Sequence, residues 1–104
     1  MQIKWLNVKK IKKYKKFLKR KEDSFRFSSG VVVLEKNKEV GEHKTDNVEE
    51  VIVVLEGNAT LIVEGKKYKT FKAPSIIYIN PNVLHNIVNK SSKILKYIYI
   101  TSNL

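Results

Sequence analysis

The chain holds two histidines, His43 and His85, and no cysteine. Imidazole is the commonest protein ligand for a metal ion, so these two positions are the first places to look for chemistry. Their surroundings are Gly41-Glu42-His43-Lys44-Thr45-Asp46-Asn47-Val48-Glu49-Glu50 and Pro81-Asn82-Val83-Leu84-His85-Asn86-Ile87-Val88-Asn89. The absence of cysteine excludes disulfides, thiolate zinc centres and a cysteine nucleophile. No serine stands in a nucleophile motif, and Gly65-Lys66-Lys67 reads as a turn rather than a phosphate loop. His43 and Thr45 are two apart and share one face of an extended segment, whereas Glu42 and Lys44 alternate away from it into solvent.

Strands must position these residues. From Ser24 onward the apolar period is two. Candidate strands are Phe25–Ser28, Val31–Glu35, Val51–Glu56, Ala59–Val63, Lys67–Phe71, Ser75–Ile79, Leu84–Val88 and Ile94–Thr101. Gly57-Asn58, between two apolar runs, predicts a hairpin turn, and Glu64-Gly65-Lys66 predicts a second. Ala73-Pro74 and Asn80-Pro81-Asn82 break the chain again. Short strands without crossover helices argue for an antiparallel sandwich or barrel. A length of 104 residues suits one domain, and 42% hydrophobic residues exclude a disordered polyelectrolyte. Two candidate strands are apolar on both faces. Val51, Val53 and Leu55 oppose Ile52 and Val54, while Leu95, Tyr97 and Tyr99 oppose Ile94, Ile98 and Ile100. One face fits a barrel interior; the other needs a second sheet, the N-terminal element or another subunit.

The two histidine segments resemble the motifs of a small single-domain cupin. The first motif runs Gly, His-x-His, a few residues, Glu, six residues, Gly. His43 takes the first histidine position, Glu50 the glutamate, and Gly57 closes the motif. Thr45 replaces the second histidine. The second motif ends in Pro, a short turn, His, three residues and Asn, matched by Pro81, His85 and Asn89; Ser75 stands where a glycine usually opens it. The resemblance spans Gly41–Asn89. It implies an all-β fold, a cupin-like double-stranded β-helix barrel. It also implies that His43, Glu50 and His85 meet inside the barrel around a divalent metal. A bulge or turn at Asp46-Asn47-Val48 would reset strand parity so that Glu50 points inward with His43.

Two imidazoles and one carboxylate suit Zn, Fe, Mn or Ni and leave coordination positions open, the pattern of a catalytic rather than a closed structural site. Thr45 is a fourth position in the same arrangement, and its neutral hydroxyl is a poorer donor than imidazole. The alternative is a metal-free, hydrogen-bonded polar cluster. Glu49 is expected on the outer face. Asn89 is expected to make turn or interior hydrogen bonds. Tyr78, Tyr97 and Tyr99 are candidates to line the pocket, with core or interface packing as the competing role.

The charge is concentrated. Of a net +11, ten charges lie in residues 1–21, which contain no acid. Val8, Ile11, Tyr14, Phe17 and Leu18 recur at helical spacing behind Asn7, a candidate N-cap, so a short helix ending near Lys21 is predicted. Ile3 and Trp5 alternate with Gln2 and Lys4 and suggest a short strand before it. The expected organisation is a basic strand and helix over residues 1–23, packed on a cupin barrel over residues 24–104. The lysines could clamp phosphates, which keeps nucleic acid as an alternative partner. The longest apolar runs are four or five residues, too short for a membrane-spanning helix, and no apolar stretch follows the basic start as in a secretory signal. The expectation is therefore a cytoplasmic homodimer that binds a small molecule, with metal-dependent catalysis as an open extension. A metal-free sensor and a nucleic-acid-associated protein are the competing readings.

Overall fold

The computed structural model describes residues 3–44 and 46–104. Eight antiparallel strands form two sheets. They are β1 (Lys15–Leu18), β2 (Phe27–Leu34), β3 (Val48–Glu56), β4 (Asn58–Val63), β5 (Lys66–Lys72), β6 (Ser75–Ile79), β7 (His85–Val88) and β8 (Leu95–Asn103). One sheet runs β1-β2-β8-β3-β6 and the other β5-β4-β7. From β3 to β8 the chain repeatedly changes sheet, as a double-stranded β-helix barrel requires. The core between the sheets is built from the inward parity of each strand: Val32 of β2, Ile52 and Val54 of β3, Leu61 of β4, Ile77 and Ile79 of β6, and Leu95 of β8.

Gly57 does not turn a hairpin. β3 and β4 belong to different sheets, so this residue carries the chain around a corner of the barrel. It has φ +82, and a Cβ there would lie 2.2 Å from the Ile94 carbonyl oxygen. Glu64-Gly65 is a true hairpin loop between β4 and β5. Both residues have positive φ, the conformation that matches a two-residue turn to strand twist. The expected strands Phe25–Ser28 and Val31–Glu35 are one continuous β2. Ser29-Gly30 looks like a break in sequence, but the missing Cβ of Gly30 is what lets the Lys15 carbonyl and the Tyr99 ring approach.

The predicted N-terminal helix is absent. Only a single 3-10 turn forms at Val8–Lys10, with Asn7 capping it through a 3.1 Å hydrogen bond from the Lys9 amide. The chain then extends into β1, which pairs with β2. Three causes act together. A helix of about a dozen residues is marginal in water. Lysines four apart, Lys9 and Lys13, Lys12 and Lys16, Lys15 and Lys19, would repel along it. An extended chain also covers the otherwise open edge of β2. The strand expected at Ile3 and Trp5 is absent as well; both side chains are exposed.

The extended segment wraps the edge of the large sheet. Leu6, Val8 and Phe17 line a groove with Ile98 and Ile100 on the outer face, and the Lys96 ammonium donates to the Val8 carbonyl at 3.1 Å. This supplies part of the cover that the two-faced apolar strand β8 needs. The neighbouring stripe of Leu55, Ile76 and Tyr78 stays exposed. Among the described residues, no helix is long and apolar enough to cross a membrane.

Candidate metal centre

His43 and His85 are brought together by backbone, not by chance contact of side chains. The two residues form an antiparallel bridge, exchanging both N–H···O bonds at 2.9 Å. Their rings meet edge to face with centroids 4.2 Å apart. Each ring is held the same way. His43 Nδ1 lies 3.0 Å from the Gly41 carbonyl oxygen, and His85 Nδ1 lies 2.8 Å from that of Val83. A carbonyl can only accept, so each Nδ1 carries a proton, and in a neutral ring the lone pair is left on Nε2.

Glu50 arrives from β3 across the barrel. Asp46 and Asn47 turn the chain, with Asn47 at φ +56, and the strand that follows places Glu50, Ile52 and Val54 on the inner face. The Glu50 carboxylate accepts from His85 Nε2 at 2.9 Å. His85 is 2% and Glu50 9% exposed. One donor atom from each of His43, Glu50 and His85 lies within 4.8 Å of the others. Burial lowers the affinity of His85 for a proton, but the Glu50 hydrogen bond, the Val83 carbonyl and the Glu50 charge together outweigh it. The His85 pKa is accordingly raised above its ordinary 6.5. Without a cation, a proton between His85 and Glu50 takes the place of positive charge at the cluster.

These donors open onto a cavity of about 400 Å³, a size suited to a small organic ligand. Its walls are largely apolar, from Val32, Leu34, Val40 and Ile87, with a polar stripe from Tyr97, Tyr99 and Thr101 of β8. Burial raises the pKa of both tyrosines, so they stay neutral hydroxyls at physiological pH. Tyr78, a candidate for the lining, is not in this cavity. Its neighbours Ile77 and Ile79 face the core, so strand parity sends Tyr78 outward, where its hydroxyl donates to Glu49 at 2.7 Å. Thr45 lies outside the described residues.

Several residues at the site escape the sequence reading, Thr101 among them. Tyr14 was placed on the buried face of a helix, yet it lines the cavity mouth and its hydroxyl lies 2.7 Å from that of Tyr99. Buried Asn86 accepts from the Gly41 amide and donates to Glu39, tying the His43 segment to β7. An amide next to a motif histidine was the only signal for it. Asn89, fully buried, donates to the Leu34 and Lys93 carbonyls and accepts from Ser91.

The profile of the cupin domain family matches residues 23–101, and the chain belongs to that family. Solved structures agree on the fold. An RmlC-like cupin from Methanocaldococcus jannaschii superimposes with a TM-score of 0.81 at 20% identity, covering 99% of this chain and 91% of that one. A predicted oxalate decarboxylase from Thermotoga maritima gives 0.71 at 16% identity, covering 96% and 99%. The Cnp3 cupin domain of Schizosaccharomyces pombe gives 0.76 at 14% identity, covering 88% of this chain and 64% of that one. No curated protein matches the chain by sequence.

Proposed function

We propose that this cupin binds a divalent metal through His43, Glu50 and His85 and uses the adjoining cavity to hold a small molecule against it. One observation carries this reading. Both imidazoles are anchored through Nδ1 to a carbonyl two residues earlier, the outer-partner arrangement that orients metal-ligating histidines. With a carboxylate as third donor, the set suits Zn, Fe, Mn or Ni. A metal held there would supply Lewis acidity and an open coordination position to the ligand. Tyr97, Tyr99 and Thr101 would orient that ligand, while the apolar walls exclude water. Turnover is a further step, for which the fold does not select a reaction.

The test is metal analysis of protein purified without chelator or nickel resin, with Co²⁺ titration by absorbance. The expected result is one metal per chain, lost in His43→Ala and His85→Ala. Wild-type protein that takes up none of Zn²⁺, Fe²⁺, Mn²⁺ or Ni²⁺ overturns it. A second reading, a metal-free binding barrel, is favoured by the hydrogen bond that already satisfies Glu50 and His85. It predicts ligand-induced thermal stabilisation that EDTA leaves intact. The exposed stripe of Leu55, Ile76 and Tyr78 is the surface on which a second copy would build the expected homodimer. Light scattering measures that mass.

A further inference from the structure

The mouth of the cavity has its own chemistry, separate from the three donors on its floor. Tyr14 and Tyr99 meet there with stacked rings and hydroxyls 2.7 Å apart. Lys16 holds its ammonium 5.9 Å from the centre of the Tyr99 ring. This grouping depends on the register of β1. Lys16 pairs with Gly30, and Gly30 pairs with Tyr99. A Cβ on Gly30 would lie 2.9 Å from the Tyr99 hydroxyl, so glycine is what seats that ring. Tyr14 and Lys16, two apart on an extended chain, share one side of the segment. Lys12, Lys13 and Lys15 flank Tyr14 along the chain, around a separate surface depression, and no acid occurs anywhere in residues 1–21.

Further in, Tyr97 is 3% exposed and lines the same cavity. Its hydroxyl makes no hydrogen bond to another described residue. The residue lines the cavity, where its hydroxyl can donate to a ligand oxygen. The cavity thus presents hydroxyls along one wall, and the Lys16 ammonium lies beside the ring of Tyr99 on that wall.

We propose that the cavity takes a small carboxylate-bearing ligand, with an anionic group received at the mouth by the Tyr14 and Tyr99 hydroxyls and the Lys16 ammonium, and a further oxygen received by Tyr97. This deepens the metal-and-small-molecule reading by naming its ligand class, yet it rests on residues other than the three metal donors. The lysine-rich segment serves as an anion-collecting rim: charge of one sign around a low-dielectric cleft raises the local concentration of the opposite ion. Phenol and ammonium donors to a carboxylate form charge-assisted hydrogen bonds, stronger than neutral ones.

The probes are malonate, succinate and glutarate, each compared with its neutral diamide by calorimetry on Zn²⁺-treated and on EDTA-treated protein. At least one diacid is expected to bind about tenfold or more tightly than its diamide, the discrimination expected of charged hydrogen bonds. Tyr14→Phe and Lys16→Gln, both at exposed positions, are each expected to erase most of that preference while leaving Co²⁺ affinity unchanged. Tyr97→Phe is expected to weaken acid and amide alike. Equal binding of acids and amides, no binding of any of the three acids, or a preference that survives both rim substitutions overturns the proposal. Failure of wild-type protein to take up Co²⁺ would instead reject the metal reading, and a Lys16-dependent preference for acids in that protein would still support this one.

Discussion

The floor and the rim of the cavity are built by opposite means. On the floor, His43 and His85 are locked by an exchanged pair of backbone hydrogen bonds and by carbonyl anchors, and Glu50 comes from a central strand of the large sheet. All three lie in a part of the chain with almost no net charge. At the rim, Lys16 sits on the edge strand β1 and Tyr14 just before it, both exposed, and they meet Tyr99 through a hydroxyl pair, stacked rings and an ammonium over the ring. The floor is therefore stiff and coupled to global folding. The rim is loosely tied, and its substitution should alter ligand choice at little cost in stability.

That contrast can be broken at several points. Ile52, 1% exposed beside Glu50 on the inner face of β3, should cost about 2–5 kcal/mol as Ile52→Ala in chemical denaturation, because it opens a cavity under the floor. A value below 1 kcal/mol, on the order of a surface substitution, would mean the floor is not rigid. His85→Ala should weaken Co²⁺ binding by more than the roughly 10- to 100-fold that losing an outer hydrogen-bond partner of a ligand costs. An unchanged titration would remove His85 from the metal set. Asn89→Ala should cost about 1–3 kcal/mol, because the Leu34 and Lys93 carbonyls lose the donor that buried Asn89 supplies.

The pH dependence sharpens the same comparison. Burial lowers the His85 pKa, but Glu50 and the Val83 carbonyl raise it further, so in the folded chain it exceeds the unfolded value of 6.5. The extra stability is complete below that value and is lost as pH rises through the raised one. Chelator-treated protein should therefore melt at lower temperature as pH climbs above about 6.5, and His85→Gln should flatten the trend. Metal binding should run the other way, strengthening as pH rises, because the cation displaces the proton near Glu50. Protein whose melting temperature rises over that range without metal would contradict the assignment. The smallest effect is expected at the rim: Tyr14→Phe should shift stability by no more than about 1 kcal/mol, the net value of one exposed hydrogen bond.

The same division decides what could be seen in the sequence. Strand parity separated two apolar faces on β3 and β8 without choosing the inner one, and β6 begins and ends where the alternation of Ser75–Ile79 places it. The set of His43, Glu50 and Gly57 was legible through its resemblance to the first cupin motif, and strand parity added only that neighbours two apart share a face. The N-terminal segment was not. Apolar residues three and four apart fit a helix, but their partner is the open edge of β2, a tertiary fact that local spacing does not carry. Tyr14 was therefore assigned to the wrong surface. Gly57 was misread for a related reason: positive φ marks a sharp change of direction and does not say whether the chain returns to the same sheet.

The bridge between His43 and His85 also makes the cluster a sensor of strand alignment. Side chains alternate faces residue by residue, so a slip of one position would carry an imidazole out of the barrel and replace it with Lys44 or Glu42 on one side, Asn86 or Leu84 on the other. None of these four completes a two-imidazole set. A cobalt spectrum would thus act as an optical check on which of two neighbouring pairings the chain has reached during refolding, a distinction to which overall β-content is blind.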